Sequence, residues 1–161
     1  MREYFRTPVA LAPVRLPGVV ALVDDDRQIA QALDAWFALG GLQTTHHSSS
    51  ESLLQAITLT NGRPTLPSGT DPSQRTELVA AVLDLNLPGM SGFALATALR
   101  ERFPRLPLVI ITALREDERV PHGSAPAGIT CLQKPFDLDA LDEALFPAMH
   151  ANLFTNLSQQ S

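Results

Sequence analysis

Leu78-Val79-Ala80-Ala81-Val82-Leu83-Asp84, followed directly by Leu85-Asn86-Leu87-Pro88-Gly89-Met90-Ser91-Gly92, joins a short apolar run to one acid and then to a turn. Three other apolar runs end in the same way. Val19-Val20-Ala21-Leu22-Val23 leads into Asp24-Asp25-Asp26, and Leu108-Val109-Ile110-Ile111 into Thr112-Ala113. Ile129-Thr130-Cys131-Leu132-Gln133 delivers Lys134-Pro135-Phe136. Continuous apolar runs of this kind read as strands buried on both faces, as in a parallel sheet. The carboxyl ends of parallel strands share one edge, and ligands bind in the crevice there. That edge would gather three carboxylates, a hydroxyl and an ammonium.

The segments between the strands carry helical spacing. Ile29, Leu33 and Phe37 recur every four residues, with Ala30 and Trp36 alongside, which predicts a helix with one face on a core. Asp26 is its expected N-cap, and Gly40-Gly41 its stop. Residues 42–47 read as a Thr- and His-rich strand nearer an edge. Ser48-x-x-Glu51 has the form of a capping box ahead of Leu53, Leu54 and Ile57, predicting a second helix. A third follows Gly92 with Leu95, Leu99 and Phe103 on one face, stopped by Pro104. The last begins after Asp137 with Leu138, Leu141, Leu145 and Met149 in register, and Pro147 should kink or end it.

Residues 60–77 break this rhythm. Asn61-Gly62-Arg63-Pro64 and Pro67-Ser68-Gly69-Thr70-Asp71-Pro72 are turn-formers without apolar period, and they predict a flexible insertion at the amino ends of the strands. Between the fourth and fifth strands, Pro121, Gly123, Pro126 and Gly128 allow only a short, irregular fourth helix. Alternating strands and helices give an α/β fold: a doubly wound, five-stranded parallel sheet with helices on both faces. Residues 1–17 read as a leader or linker, 18–150 as one domain, and 151–161 as a polar tail.

Composition narrows the function classes. Apolar residues at 45% and charged residues at 18% describe a globular chain rather than a disordered one. A formal charge of −5 leaves no basic surface for direct nucleic-acid binding. A single cysteine excludes an internal disulfide and suits a reducing compartment. No apolar stretch reaches the ~18 residues a membrane-spanning helix needs, and the N-terminal residues lack the pattern of a secretory signal. A cytoplasmic location is expected.

Taken singly, each strand-end group has an ordinary structural explanation. Adjacent aspartates commonly open a helix, Leu-Pro-Gly commonly makes a turn, and Lys134-Pro135 could sit on any surface. Jointly they suit one reaction. Mg²⁺ takes oxygen ligands in near-octahedral geometry, commonly one or two carboxylates plus phosphate and water. Asp24 or Asp25 with Asp84 can supply the carboxylates, and the Asn86 backbone carbonyl a further oxygen. Lys134 can reach phosphate oxygens as a point charge, the Thr112 hydroxyl can donate to another, and Ala113 leaves room for the group. Asp84 would be the nucleophile, forming an acyl phosphate; the remaining demand is positioning and charge neutralisation.

With these residues in order, the chain resembles the receiver domains of response regulators in bacterial two-component signalling. It carries the paired acids (Asp24, Asp25), the phosphoacceptor (Asp84), the Leu-Pro-Gly-Met-x-Gly turn at 87–92, the switch hydroxyl (Thr112) and the Lys134-Pro135 pair. The resemblance covers about residues 18–150. It implies the strand order 2-1-3-4-5 and a cis peptide before Pro135. It also implies a phosphoryl group drawn from a partner's phosphohistidine, on a histidine kinase or a histidine phosphotransfer protein. The chain would catalyse its own phosphorylation and dephosphorylation and would change its affinity for an output partner. Two departures stand out. Cys131 occupies the position where the family usually carries an aromatic switch residue, and the fourth helix, part of the usual output face, is interrupted by Pro121 and Pro126.

Two other function classes compete. Haloacid-dehalogenase-type phosphohydrolases also use a strand-end aspartate and Mg²⁺; Asp24-x-Asp26 matches the start of their signature, but Gln28 stands where Thr or Val is required. A binding module that keeps the fold without being phosphorylated would have no need for so many like charges in one place. A dinucleotide site is excluded by the acids after the first strand, which would repel the anion. Of the remaining residues, the adjacent His46 and His47 point to opposite faces of a strand and cannot jointly chelate. Trp36 and Phe37 read as packing residues, and Cys131 as an inert thiol buried in an apolar strand.

Overall fold

Along the chain the elements are β1 (Val19–Val23), α1 (Arg27–Leu39), β2 (Gln43–His47), α2 (Ser50–Ala56), β3 (Thr58–Thr60), β4 (Arg63–Pro67), β5 (Arg75–Asp84), α3 (Gly92–Arg102), β6 (Leu108–Thr112), β7 (Thr130–Gln133) and α4 (Leu138–Gln160). They belong to a computed structural model, which describes residues 18–67, 71 and 73–160; the expected leader lies outside the described residues. Five strands pair in parallel in the order β2-β1-β5-β6-β7. Counted among themselves these are 2-1-3-4-5, the doubly wound order that the family resemblance implies.

The sheet divides two cores. Val20, Leu22, Val82, Val109 and Ile111 face Leu33 and Phe37 of α1 and Leu141, Leu145 and Met149 of α4. Ala21, Val23, Leu83 and Ile110 face Leu53 of α2 and Phe93, Leu95 and Leu99 of α3. Successive strand residues point to opposite faces, so burial on both sides requires the unbroken apolar runs seen in β1, β5 and β6. Trp36 is half-buried, edge-on to both Phe37 and Phe146, which is a packing role joining α1 to α4.

The helix ends follow the sequence closely, with one exception. Asp26 caps α1 by accepting the Gln28 N–H, and Ser91 caps α3 by accepting the Ala94 N–H. For α2 the cap is Ser49, which accepts the Ser52 N–H at 3.1 Å, rather than Ser48. Glu51 does not reach back to the helix start and instead accepts the Met90 N–H in another loop.

Four other expectations are corrected. Within 60–77 the described residues are not a structureless insertion, and residues 68–70 and 72 lie outside the described residues: β3 and β4 form an antiparallel hairpin, and β4 pairs antiparallel with the amino-terminal residues of β5. Gly62 takes φ +79° at its turn, beside Asn61 at φ 54°, so Asn61 and Gly62 close a hairpin between β3 and β4. Leu66 is fully buried and provides the anchor. Arg75 secures the hairpin by donating to the Thr65 hydroxyl, the Thr65 carbonyl and the Ala56 carbonyl. Secondly, α4 runs through Pro147 to Gln160, so 151–160 is helical rather than a tail. Buried Leu145 and Met149 hold the chain on the sheet to either side of the proline. Thirdly, Leu138 is exposed and lies outside the core stripe. Fourthly, Cys131 is half-buried and not sealed in the core. Between β6 and β7 the chain makes only two 3₁₀ turns, Glu116–Glu118 and Val120–His122. Without a full helix above it, β7 is left beside an open cleft of about 770 Å³, lined by Cys131, Gln133, Arg115 and Arg119 among others.

Candidate functional site

Strand order alone brings the strand-end residues together. β1 and β6 flank β5, so Asp24 and Thr112 arrive on either side of Asp84, and β7 carries Lys134 in from beyond β6. The main chain ties these ends: Leu85 N–H donates to Ile111 O at 2.9 Å, and Lys134 N–H to Thr112 O at 2.7 Å. The Lys134–Pro135 peptide is cis.

Asp24 and Asp84 are both buried, whereas Asp25 is exposed. Each of the three offers a carboxylate oxygen, and these oxygens lie within 4.8 Å of one another. Hard oxygen donors this close suit a small divalent cation with room left for water and a third party. Asp24 Oδ1 accepts the Asp26 N–H at 2.8 Å, and Asp84 Oδ1 the Asn86 N–H at 3.1 Å. Their other oxygens face one ammonium: Lys134 Nζ lies 3.3 Å from Asp24 Oδ2 and 3.5 Å from Asp84 Oδ2.

Burial, followed by the neighbouring Asp24 charge, pushes the Asp84 carboxyl up to about 6, against the opposing pull of Lys134 and the Asn86 N–H. One ammonium does not neutralise three acids, and a bound cation would relieve the excess.

Thr112 is fully buried, and its hydroxyl accepts the Leu114 N–H at 3.0 Å. Its partner in this state is therefore the loop following β6. Ala113 is exposed and adds no bulk beyond its methyl. Cys131 sits on β7 opposite Ile110 of β6, facing the cleft. Burial raises its thiol pKa, with the charge of Arg119 opposing and that of Glu116 adding.

Three residues near the site make contacts that the sequence reading did not anticipate. His46 Nε2 donates to the Asp24 carbonyl at 2.6 Å. Ser50 donates its hydroxyl to the Met90 carbonyl at 2.9 Å, and Glu51 accepts the Met90 N–H at 3.2 Å. Their one sequence-level signal was the run of polar residues at 43–52, which fills β2 and continues past its end at the same sheet edge.

Two glycines of the turn have distinct roles. Gly89 takes φ +75°, a conformation side chains resist. At Gly92 the constraint is space: a Cβ would stand 2.3 Å from the Asp84 carbonyl oxygen and 2.8 Å from Leu85 Cα. The start of α3 can press against the end of β5 only without a side chain there.

Comparison with known proteins agrees with this fold. A family model described as the response regulator receiver domain matches residues 20–146. The response regulator protein FleR of Pseudomonas aeruginosa is 30% identical over 122 residues, which is 76% of this chain and 22% of FleR. The DNA-binding transcriptional regulator NtrC of Escherichia coli K12 is 29% identical over 122 residues, 76% of this chain and 23% of NtrC. The chain thus spans less than a quarter of the length of these two relatives. The crystal structure of a sensor protein from Polaromonas sp. JS666 superposes with a TM-score of 0.61 at 26% identity, covering 83% of this chain and 97% of that one.

Proposed function

The chain belongs to the response-regulator receiver family of two-component signalling, and from that membership we propose that Asp84 is its phosphoacceptor. The observation that supports this most directly is one buried carboxylate, Asp84, facing Lys134 Nζ at 3.5 Å inside a cluster of acids. A carboxylate oxygen of Asp84 attacks the phosphorus of a partner's phosphohistidine. The P–N bond breaks, the electron pair leaves with the imidazole, and an acyl phosphate remains. Asp24, Asp25 and Asp84, with the Asn86 carbonyl, would hold Mg²⁺, which supplies charge neutralisation for the incoming group. Lys134 leaves its carboxylate partners for a phosphoryl oxygen. Thr112 exchanges the Leu114 N–H for another phosphoryl oxygen, which it meets as a donor, and Ala113 leaves that approach open.

The donor would be a histidine kinase or a histidine phosphotransfer protein in the cytoplasm. The output would be a changed affinity for a downstream domain or protein, conveyed through residues 113–129 and Cys131. Incubation with acetyl phosphate and Mg²⁺ should add one phosphate that survives acid and is lost in alkali. Asp84→Asn should abolish it and Asp25→Ala should slow it; equal labelling of Asp84→Asn would remove Asp84 from the role.

A further inference from the structure

Both polar groups of the Met90 backbone are taken by the first turn of α2. Ser50, fully buried, donates to the Met90 carbonyl, and Glu51 accepts the Met90 N–H. Neither contact serves to start the helix, because Ser49 already caps α2. The packing is close: a Cβ on Gly89 would stand 2.9 Å from a Glu51 carboxylate oxygen. A few residues earlier, His46 holds the Asp24 carbonyl. The segment running from the end of β2 into α2 therefore grips both loops that carry the acidic site.

We infer that Ser50 and Glu51 are positioning residues for the cation site: by holding Met90 they fix the turn at 85–91, and with it the Asn86 carbonyl beside Asp84. This rests on the reading of Asp84 and its neighbours as a Mg²⁺-dependent phosphoacceptor site. Mg²⁺ demands near-ideal octahedral geometry and tolerates little displacement of its ligands. A loop ordered only when the ion arrives would charge its conformational entropy against binding, whereas a loop already held does not. Glu51 acts through its acceptor oxygen rather than by touching the ion, so its amide counterpart should serve nearly as well.

The test measures Mg²⁺ affinity by calorimetry and Met90 amide exchange without metal, in the wild type and in Glu51→Ala, Glu51→Gln and Ser50→Ala. The alanine variants should bind Mg²⁺ roughly three- to ten-fold more weakly, the size of one hydrogen bond. Their Met90 amide should exchange faster, while Glu51→Gln should stay within about two-fold of wild type on both measures. Glu51 is exposed, so its variants carry the test even if the buried Ser50 does not tolerate substitution. Wild-type affinity in Glu51→Ala despite a freed Met90 amide would overturn the inference and leave the phosphoacceptor reading standing. Glu51→Gln binding as weakly as Glu51→Ala would point to charge rather than loop positioning and would overturn it too. A wild-type chain that neither binds Mg²⁺ nor labels on Asp84 would overturn both.

Discussion

At the scale of single residues, Asp84 is kept in a place that disfavours its charge. Its carboxyl is raised to about 6 from 3.8 by burial and by Asp24. The folded chain therefore holds a proton more tightly than the unfolded chain, and Asp84 subtracts from stability as pH rises from about 4 to about 6, then levels off. Asp84→Asn lacks this penalty. Its stability advantage over wild type in metal-free buffer should grow across that window and reach on the order of 2 kcal/mol at pH 7.5. Urea unfolding at several pH values checks this, and an advantage that stays flat from pH 4 to 7.5 would contradict it. Mg²⁺ should narrow the gap, since it stabilises the acids that the substitution thins out.

At the scale of elements, Arg75 adds to buried Leu66 a second fastening for the hairpin of β3 and β4. Arg75 donates to two carbonyls and a hydroxyl that join α2, β4 and β5. Arg75→Ala should cost about 1–3 kcal/mol and speed amide exchange over 58–67. Labelling of Asp84 should stay near wild type, because the hairpin joins β5 at its amino end and the acid closes the opposite end. A large loss of phosphotransfer from a kinase, with acetyl phosphate labelling intact, would make the hairpin a docking element instead. The connection from β6 to β7 is the other unusual element. Two 3₁₀ turns hold fewer backbone bonds than a helix, so residues 115–128 should exchange faster than α1 or α3. Beryllofluoride with Mg²⁺ should slow that exchange if phosphorylation acts by ordering the segment. Strong protection that does not change with beryllofluoride would move the output to another face.

At the scale of the whole molecule, both cores share one sheet, and β5 contributes to each. Leu99 lies in the α3 core, whereas Trp36 borders the core between α1 and α4. If the sheet couples them, Leu99→Ala should cost about 2–5 kcal/mol and shift the Trp36 fluorescence transition as much as the far-ultraviolet one. Two separated transitions would mean that the layers unfold independently.

The sequence alone determined the parallel sheet, its order through the family resemblance, and the placing of Asp24, Asp25, Asp84, Thr112 and Lys134 at one edge of it. Those features rest on contiguous patterns: an apolar run needs no partner to reveal a buried strand, and a polar residue at its end must lie on the shared edge. The resemblance to receivers then ordered the strand ends into one site. Only the tertiary structure decided the rest. Pro64, Pro67 and the glycines masked a strand whose partner is the start of β5, because antiparallel pairing and the Arg75 anchor override weak local propensity. Pro147 did not end α4, since buried residues on both sides outweigh one lost hydrogen bond. Ser48 and Glu51 had the form of a capping box, yet Glu51 serves Met90, 39 residues away in sequence. Cys131 sits in an apolar run but is left half-exposed, because the element that would cover it is too short. Each of these outcomes depends on which distant group arrives alongside, and local spacing carries no record of that.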